Sequence, residues 1–257
     1  LALVIFLFPI LWLMLSSLKP PADILVISIP THPTLENYQT VMSSYPVLRY
    51  LRNSLFVALG SVTISIITGS LAAYGFSRYR FHFRSQMLLG VLALRTLPAV
   101  AVGIPIYILF SKIHLTDNTF GLIFTHAAAQ LPLVIWIMQG FFADIPVELG
   151  EAGMVDGCNR LNVLYHIILP LAAPGLAVAG IFSFLLSWND FGLALMLVST
   201  PDLITMPVAL SQMNLMYGIR WDNLSAGAVL YIIPTIIMAL LLQRYIVRGL
   251  TMGAIKG

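Results

Sequence analysis

A charged side chain inside an apolar run is the first candidate for chemistry in this sequence. Arg95 stands near the middle of the run 86–110, where a cation costs about 2.5–3.5 kcal/mol on insertion scales. Two uses answer that cost. Arg95 either pairs with Asp190, or with carbonyls freed near Pro98, or it lines a polar path through the membrane. A second notch, Trp188-Asn189-Asp190, interrupts the run 171–198. A ring beside an amide and a carboxylate suits a sugar, whose C–H faces pack on the ring while its hydroxyls bind the polar groups. The same residues also suit a helix–helix polar contact or a helix break. The third concentration is 144–174, which holds Asp144, Glu148, Glu151 and Asp156, four of the chain's 10 acidic residues. His32, His82, His114, His126 and His166 are scattered without metal-ligand spacing, and none is assigned a catalytic role. There is no phosphate loop of the GxxxxGK[ST] type in the chain. If ATP drives this protein, another chain hydrolyses it.

The elements that position these residues are set by composition. The 257 residues are 59% hydrophobic and only 9% charged, with mean hydropathy +0.94. Soluble domains carry about 25% charged residues, so the chain cannot present a wetted surface around one core. It reads as an all-α integral membrane protein. The net charge of +3 does not point to nucleic acid, because the basic residues are dispersed among loops. The single Cys158 excludes an internal disulfide and a cysteine-based metal site. A span needs about 20 apolar residues, and six runs qualify or nearly so: 1–18, 54–76, 86–110, 120–142, 171–198 and 226–246. Gly60, Gly69 and Gly75 suit close helix packing in the second. Pro98 and Pro105 interrupt the third. The chain opens at Leu1 inside an apolar run, so it is expected to lack its natural start. The polar sequence that follows has no small-residue cleavage site, which favours a membrane span over a signal peptide.

Between the fourth and fifth runs, the stretch from Asp144 reads as a short helix, a turn and a second helical start. Pro146 suits a first turn, Glu148 and Glu151 share a face, and Asp156-Gly157 is a turn signal. Arg78, Arg80 and Arg84 form the densest basic cluster, which places the loop between spans two and three in the cytoplasm. Alternation then puts the Asp144 loop and both termini on the same side. Asp117-Asn118 reads as a turn into span four. The stretch 199–223, with Gln212, Asn214, Tyr217, Arg220, Trp221 and Asp222, reads as an amphipathic outer loop whose aromatic residues suit interface anchoring.

The run Glu151-Ala152-Gly153-x-x-Asp156-Gly157, followed by Ile167 to Pro170, resembles the "EAA" loop of ABC importer permeases, with Gly153 in place of the second Ala. The ending Gly249-Leu-Thr-Met-Gly-Ala-Ile-Lys-Gly257 resembles that of the smaller permease of carbohydrate importers of the maltose type; Met252 and Ile255 depart from the family form. Arg95-Thr-Leu-Pro98, Gly121-Leu-Ile, Phe142 to Pro146 and Gln243-Arg-Tyr also match, so the resemblance covers nearly the whole chain. It implies one permease domain over 1–257 with six transmembrane helices. A cytoplasmic loop over 144–170 would contain a coupling helix for a separate ATPase, through Glu148, Glu151, Ala152, Gly153, Asp156, Gly157 and Pro170. A short flexible tail over 249–257 would reach the ATPase through Gly253, Lys256 and Gly257. The implied partners are a homologous second permease, a homodimeric ATPase holding ATP and Mg, an extracytoplasmic solute-binding protein, a sugar and membrane lipid. No cofactor is expected on this chain itself. The implied place is the bacterial inner membrane. Arg95, Trp188, Asn189, Asp190 and Asn214 are the candidates for the solute path.

Sugar or glycoside import is the leading expectation, with a glycerol-phosphate-type or other polar solute as the alternative. A stand-alone secondary transporter would need intramembrane acids and repeat symmetry, and only Asp190 qualifies. A membrane enzyme would need clustered His or carboxylates within spans, which the sequence does not provide.

Overall fold

The computed structural model describes residues 2–216 and 220–254, with the backbone alone at 2–3, 99–100, 214–216 and 242–254. The described residues are helical, joined by turns and loops, without strands. In chain order the α-helices are α1 Ala2–Ser17, α2 Glu36–Ser44, α3 Val47–Arg78, α4 Arg84–Ala93, α5 Ala99–Lys112, α6 Thr119–Asp144 and α7 Val147–Val155. They continue with α8 Arg160–Val163, α9 Leu169–Leu171, α10 Ala173–Trp188, α11 Gly192–Leu197, α12 Met206–Met216 and α13 Trp221–Ala254.

Among the described residues three helices are long and apolar enough to cross a membrane: α3, α6 and the Trp221–Leu241 part of α13. They carry apolar side chains outward, Leu55, Phe56, Ile67 and Leu71 on α3 among them. Water would penalise those faces; hydrocarbon does not. Two further runs qualify only as bent pairs. Arg84–Thr96 and Ala101–Lys112 meet at 93°, and Arg160–Leu171 meets Ala173–Trp188 at 80°. Val4–Ser17 is apolar but shorter. Beside the six expected spans, length and composition give three among the described residues, or five if each bent pair counts as one.

The breaks have local causes. Pro98 lacks an amide hydrogen and pushes Leu97 into extended backbone, φ −70° and ψ 130°, which ends the helical turn there. Pro105 sits inside α5 without breaking it. Before α10 the chain passes through a π-helical turn, Leu164–Ile168, with Pro170 opening α9 and Pro174 opening α10. A π turn shifts the hydrogen-bond register and re-aims the chain. At the other end of α10, Asn189 to Phe191 separate it from α11.

The framework is the α3–α6 pair. Gly69 lies so close to α6 that a Cβ there would sit 2.6 Å from Val134 Cγ1, and one at Gly60 would sit 2.9 Å from Ile123 Cδ1. Gly75 meets nothing within 4 Å, so it plays no part in that packing. α10 lies across α3, α6 and α13, while α1 and α2 pack on α13. One apolar cluster, with Met138, Phe142 and Ile168, fills the end of the bundle near α7. A larger one, with Val57, Leu122 and Met206, fills the opposite end. The expected free tail is helical as far as Ala254, because α13 continues to that residue.

Candidate functional site

Two regions collect the residues singled out by the sequence. The first is the elbow beyond α6. Its core contact is Gly153, the buried residue of α7. A Cβ at that position would lie 2.4 Å from Ile167 Cδ1 and 3.3 Å from Val163 Cγ2. The missing side chain thus lets α7 lie directly on the turn Arg160–Leu171. Gly157, at φ +91°, reverses the chain, a conformation that suits glycine. Its amide and that of Cys158 donate to Met154 O and Gly153 O at 3.1 and 3.0 Å. Asn159 then caps the second start, accepting from Asn162 N at 2.8 Å. Arg78 donates to Ile145 O at 3.0 Å, tying the end of α3 to the entry of α7. On this platform Glu148, Glu151, Ala152, Asp156 and Pro170 are all exposed, beside Leu149, Met154 and Val155. The elbow therefore presents one acidic and apolar face on a fixed base.

The second region lies within the bundle. A cavity of about 1230 Å³ is lined by Arg95, Trp136, Gln139, Asp144, Asn189 and Asp190 among others. A smaller one of about 440 Å³ shares Arg95, Leu186 and Asp190 with it and reaches Thr125, His126 and Gln130. Arg95 sits in the 3-10 turn at the Pro98 break and is exposed to this space. Among the described residues it makes no ion pair. Of the alternatives open to Arg95, the pair with Asp190 is not formed. Asp190 instead lies 3.3 Å from His126 Nε2 and accepts from Ala194 N at 3.0 Å, so it caps α11.

Trp188 and Asn189 part company. Trp188 is only 1% exposed and stacked between Phe184 and Tyr231, each ring centroid 5.5 Å away. Its ring is withdrawn from the cavity. Asn189 faces the cavity but is held by Leu185 O and by the Tyr231 hydroxyl, which donates to its Oδ1 at 2.7 Å. The side chain of Asn214 lies outside the described residues, as do Tyr217, Lys256 and Gly257; Gly253 is placed in α13 by its backbone alone.

Next to the smaller cavity is a polar layer that the sequence reading did not single out. Ser61 and Ser65 of α3, His126 and Gln130 of α6 and Ser187 of α10 are all buried. Gln130 donates to Ser61 at 3.2 Å and accepts from Ser65 at 3.0 Å. Ser61 donates to Ser187 at 3.1 Å, and Ser187 lies 2.7 Å from His126 Nδ1. The available signal was spacing: 61 and 65, and 126 and 130, are four apart and so share a helix face.

On the face opposite the elbow, Asp117 adopts φ +54° and clamps two loops. Its carboxylate accepts from Ser199 N at 2.8 Å, Thr200 N at 2.7 Å and Thr200 Oγ1 at 2.5 Å. These bonds, the Thr200 hydroxyl first, hold its pKa below the ordinary 3.8. Arg49 pairs with Asp202 nearby, and Asn53 donates to Asp202 O and Ile204 O at 2.8 and 3.0 Å.

Comparison with known proteins places this architecture. Residues 65–252 match the family model described as "Binding-protein-dependent transport system inner membrane component". The chain is 35% identical over 254 residues to the sulfoquinovosyl glycerol transport system permease protein of Agrobacterium fabrum, covering 98% of this chain and 89% of that one. It is 36% identical over 259 residues to the trehalose/maltose transport system permease protein of Thermococcus litoralis, covering 99% and 93%. Its fold is similar to a chain of a bacterial ABC transporter involved in the import of the acidic polysaccharide alginate. There the TM-score is 0.80 at 24% identity, over 94% of this chain and 91% of that one. The apolar spans, the elbow and these matches together make the chain a member of the binding-protein-dependent transport system inner membrane component family, an ABC transporter permease.

Proposed function

We propose that this chain is the smaller of two membrane subunits of an importer for a sugar or glycoside, driven by a separate ATPase. The single observation that carries this reading is the seating of α7. Gly153 brings it against Ile167 and Val163, while Glu148, Glu151, Met154 and Val155 remain outside. A helix fixed on its inner face and exposed on its outer face can transmit force from whatever grips it. In this proposal the ATPase dimer grips it from the cytoplasm, and closure on ATP rocks the spans between inward-open and outward-open forms. Coupling requires ATP to favour one form over the other, and docking at α7 supplies that preference. The bent pairs each cross the membrane and α1 supplies the remaining pass, giving six, with both termini in the cytoplasm. A homologous permease faces the cavity at Arg95, Asn189 and Asp190, which line the solute path; a binding protein delivers the solute outside.

Support for the solute class comes from the relatives, whose names specify sulfoquinovosyl glycerol and trehalose/maltose. A solved structure of similar fold, with a TM-score of 0.71 at 14% identity, is a bacterial alginate ABC transporter in complex with an alginate pentasaccharide-bound periplasmic protein. The decisive experiment reconstitutes the whole importer with its binding protein. Glu151→Lys should leave membrane insertion intact and abolish solute-stimulated ATP hydrolysis. Unchanged stimulation would reject the coupling role of α7.

A further inference from the structure

The turn between α3 and α4 carries chemistry that the import reading does not use. Its residues are Tyr79, Arg80, Phe81, His82, Phe83 and Arg84, alternating rings and cations. α3 has 32 residues, about 48 Å at 1.5 Å per residue, whereas the hydrocarbon core is about 30 Å thick. The apolar stretch 54–76 of α3 takes up that thickness, so the residues that follow Phe76, the turn included, fall at headgroup level. α4 re-enters at once, with Met87 and Leu89 exposed beside it.

The groups are arranged outward. Phe83 is 64% exposed and stands at φ +62°, a left-handed conformation that bulky residues rarely adopt. Phe81 instead leans back on Phe76, ring centroids 5.8 Å apart. Together with His82, Arg84, Ser85 and Gln86 they line a hollow of about 580 Å³ that contains no acidic residue. Arg78 is engaged with Ile145 O, and Arg160 lies over the Tyr79 ring at 5.1 Å. Among the described residues Arg80 and Arg84 have no ion pair. Two uncommitted guanidiniums at headgroup depth, beside a ring that reaches toward acyl chains, match one kind of partner in charge and in depth.

We propose that this hollow binds the headgroup of an acidic phospholipid, with Arg84 of its lining on the phosphate, the neighbouring Arg80 adding its charge from the adjoining turn, and Phe83 anchored in the acyl boundary. Basic residues near an anionic leaflet each contribute about fivefold to binding. The site needs only the level of the turn, not its sidedness, so it is testable whether or not the α7 coupling reading survives.

The test uses the assembled importer in nanodiscs of phosphatidylcholine alone or mixed equally with phosphatidylglycerol. Lipid retained through detergent washing is measured by mass spectrometry. Wild type should retain phosphatidylglycerol over phosphatidylcholine. The R80Q/R84Q pair should lower that preference about 25-fold, and Arg49→Gln, at the opposite end of α3, should leave it unchanged. Equal retention of both lipids by wild type overturns the proposal. So does a preference that survives R80Q/R84Q, or one that falls equally in Arg49→Gln. Loss of the ATPase from R80Q/R84Q with lipid retention intact also overturns it, because those cations would then belong to a protein interface.

Discussion

At the scale of single residues, the buried layer around His126 invites the question of how much each bond matters. Helix association in hydrocarbon gains little from the hydrophobic effect, because lipid is as apolar as leucine. Interhelical hydrogen bonds there average only about 0.6 kcal/mol and reach about 1.7. The His126–Ser187 contact at 2.7 Å should fall in that range. A double-mutant cycle of His126→Ala and Ser187→Ala, read by denaturant unfolding in micelles, should give a coupling energy of about 0.6–1.7 kcal/mol. A coupling near zero would mean that both side chains find other partners. Gly153 makes a second residue-level case. Alanine there gains up to about 1 kcal/mol of helix propensity, but overpacking costs about 1–3 kcal/mol. The atom in the way is the flexible Ile167 Cδ1, so the low end of that cost applies. Gly153→Ala should be within about 1 kcal/mol of wild type, and Gly153→Val should lose about 1–3 kcal/mol. Thermal unfolding of the two variants separates them.

At the scale of elements, the outer clamp at Asp117 has a pH signature. Its folded pKa lies below the ordinary 3.8, so its stabilising contribution is complete above that value and is lost as pH falls through the lowered one. Hydrogen exchange at the Ser199 and Thr200 amides should speed up as pH drops below the ordinary carboxylate range, after correction for intrinsic exchange. Asp117→Asn should flatten that response. The elements themselves were unevenly legible. The elbow was readable because Pro146, Asp156-Gly157 and the exposed acids are local signals, and α7 with its glycine turn follows from them directly. The interruptions of the runs 86–110 and 171–198 at Pro98 and near Asn189 were legible, but not the bends of 93° and 80° within the two helix pairs. Apolar composition reports the medium, not the direction of the backbone. The His126 layer left only its four-residue spacings as a signal, because isolated serines and one histidine in apolar runs acquire meaning when three helices converge. Trp188 shows the converse. Its type and position suited a solute, but the stack with Phe184 and Tyr231 occupies both faces of the ring.

At the scale of the whole molecule, the layer joining α3, α6 and α10 has a consequence for biogenesis. Ser61, Ser65 and Gln130 bond one another as soon as α3 and α6 meet, but Ser61 and His126 also take partners from Ser187, which is synthesised later. A nascent chain that has released α6 into lipid therefore exposes an imidazole with no mate until α10 arrives. Quality-control proteases that recognise polar groups in the bilayer should remove such a fragment. A chain truncated after Cys158 should disappear quickly in a pulse-chase experiment, and co-expression of residues 159–257 as a separate piece should lengthen its lifetime. The order in which the helices leave the ribosome thus sets when this subunit becomes safe to keep.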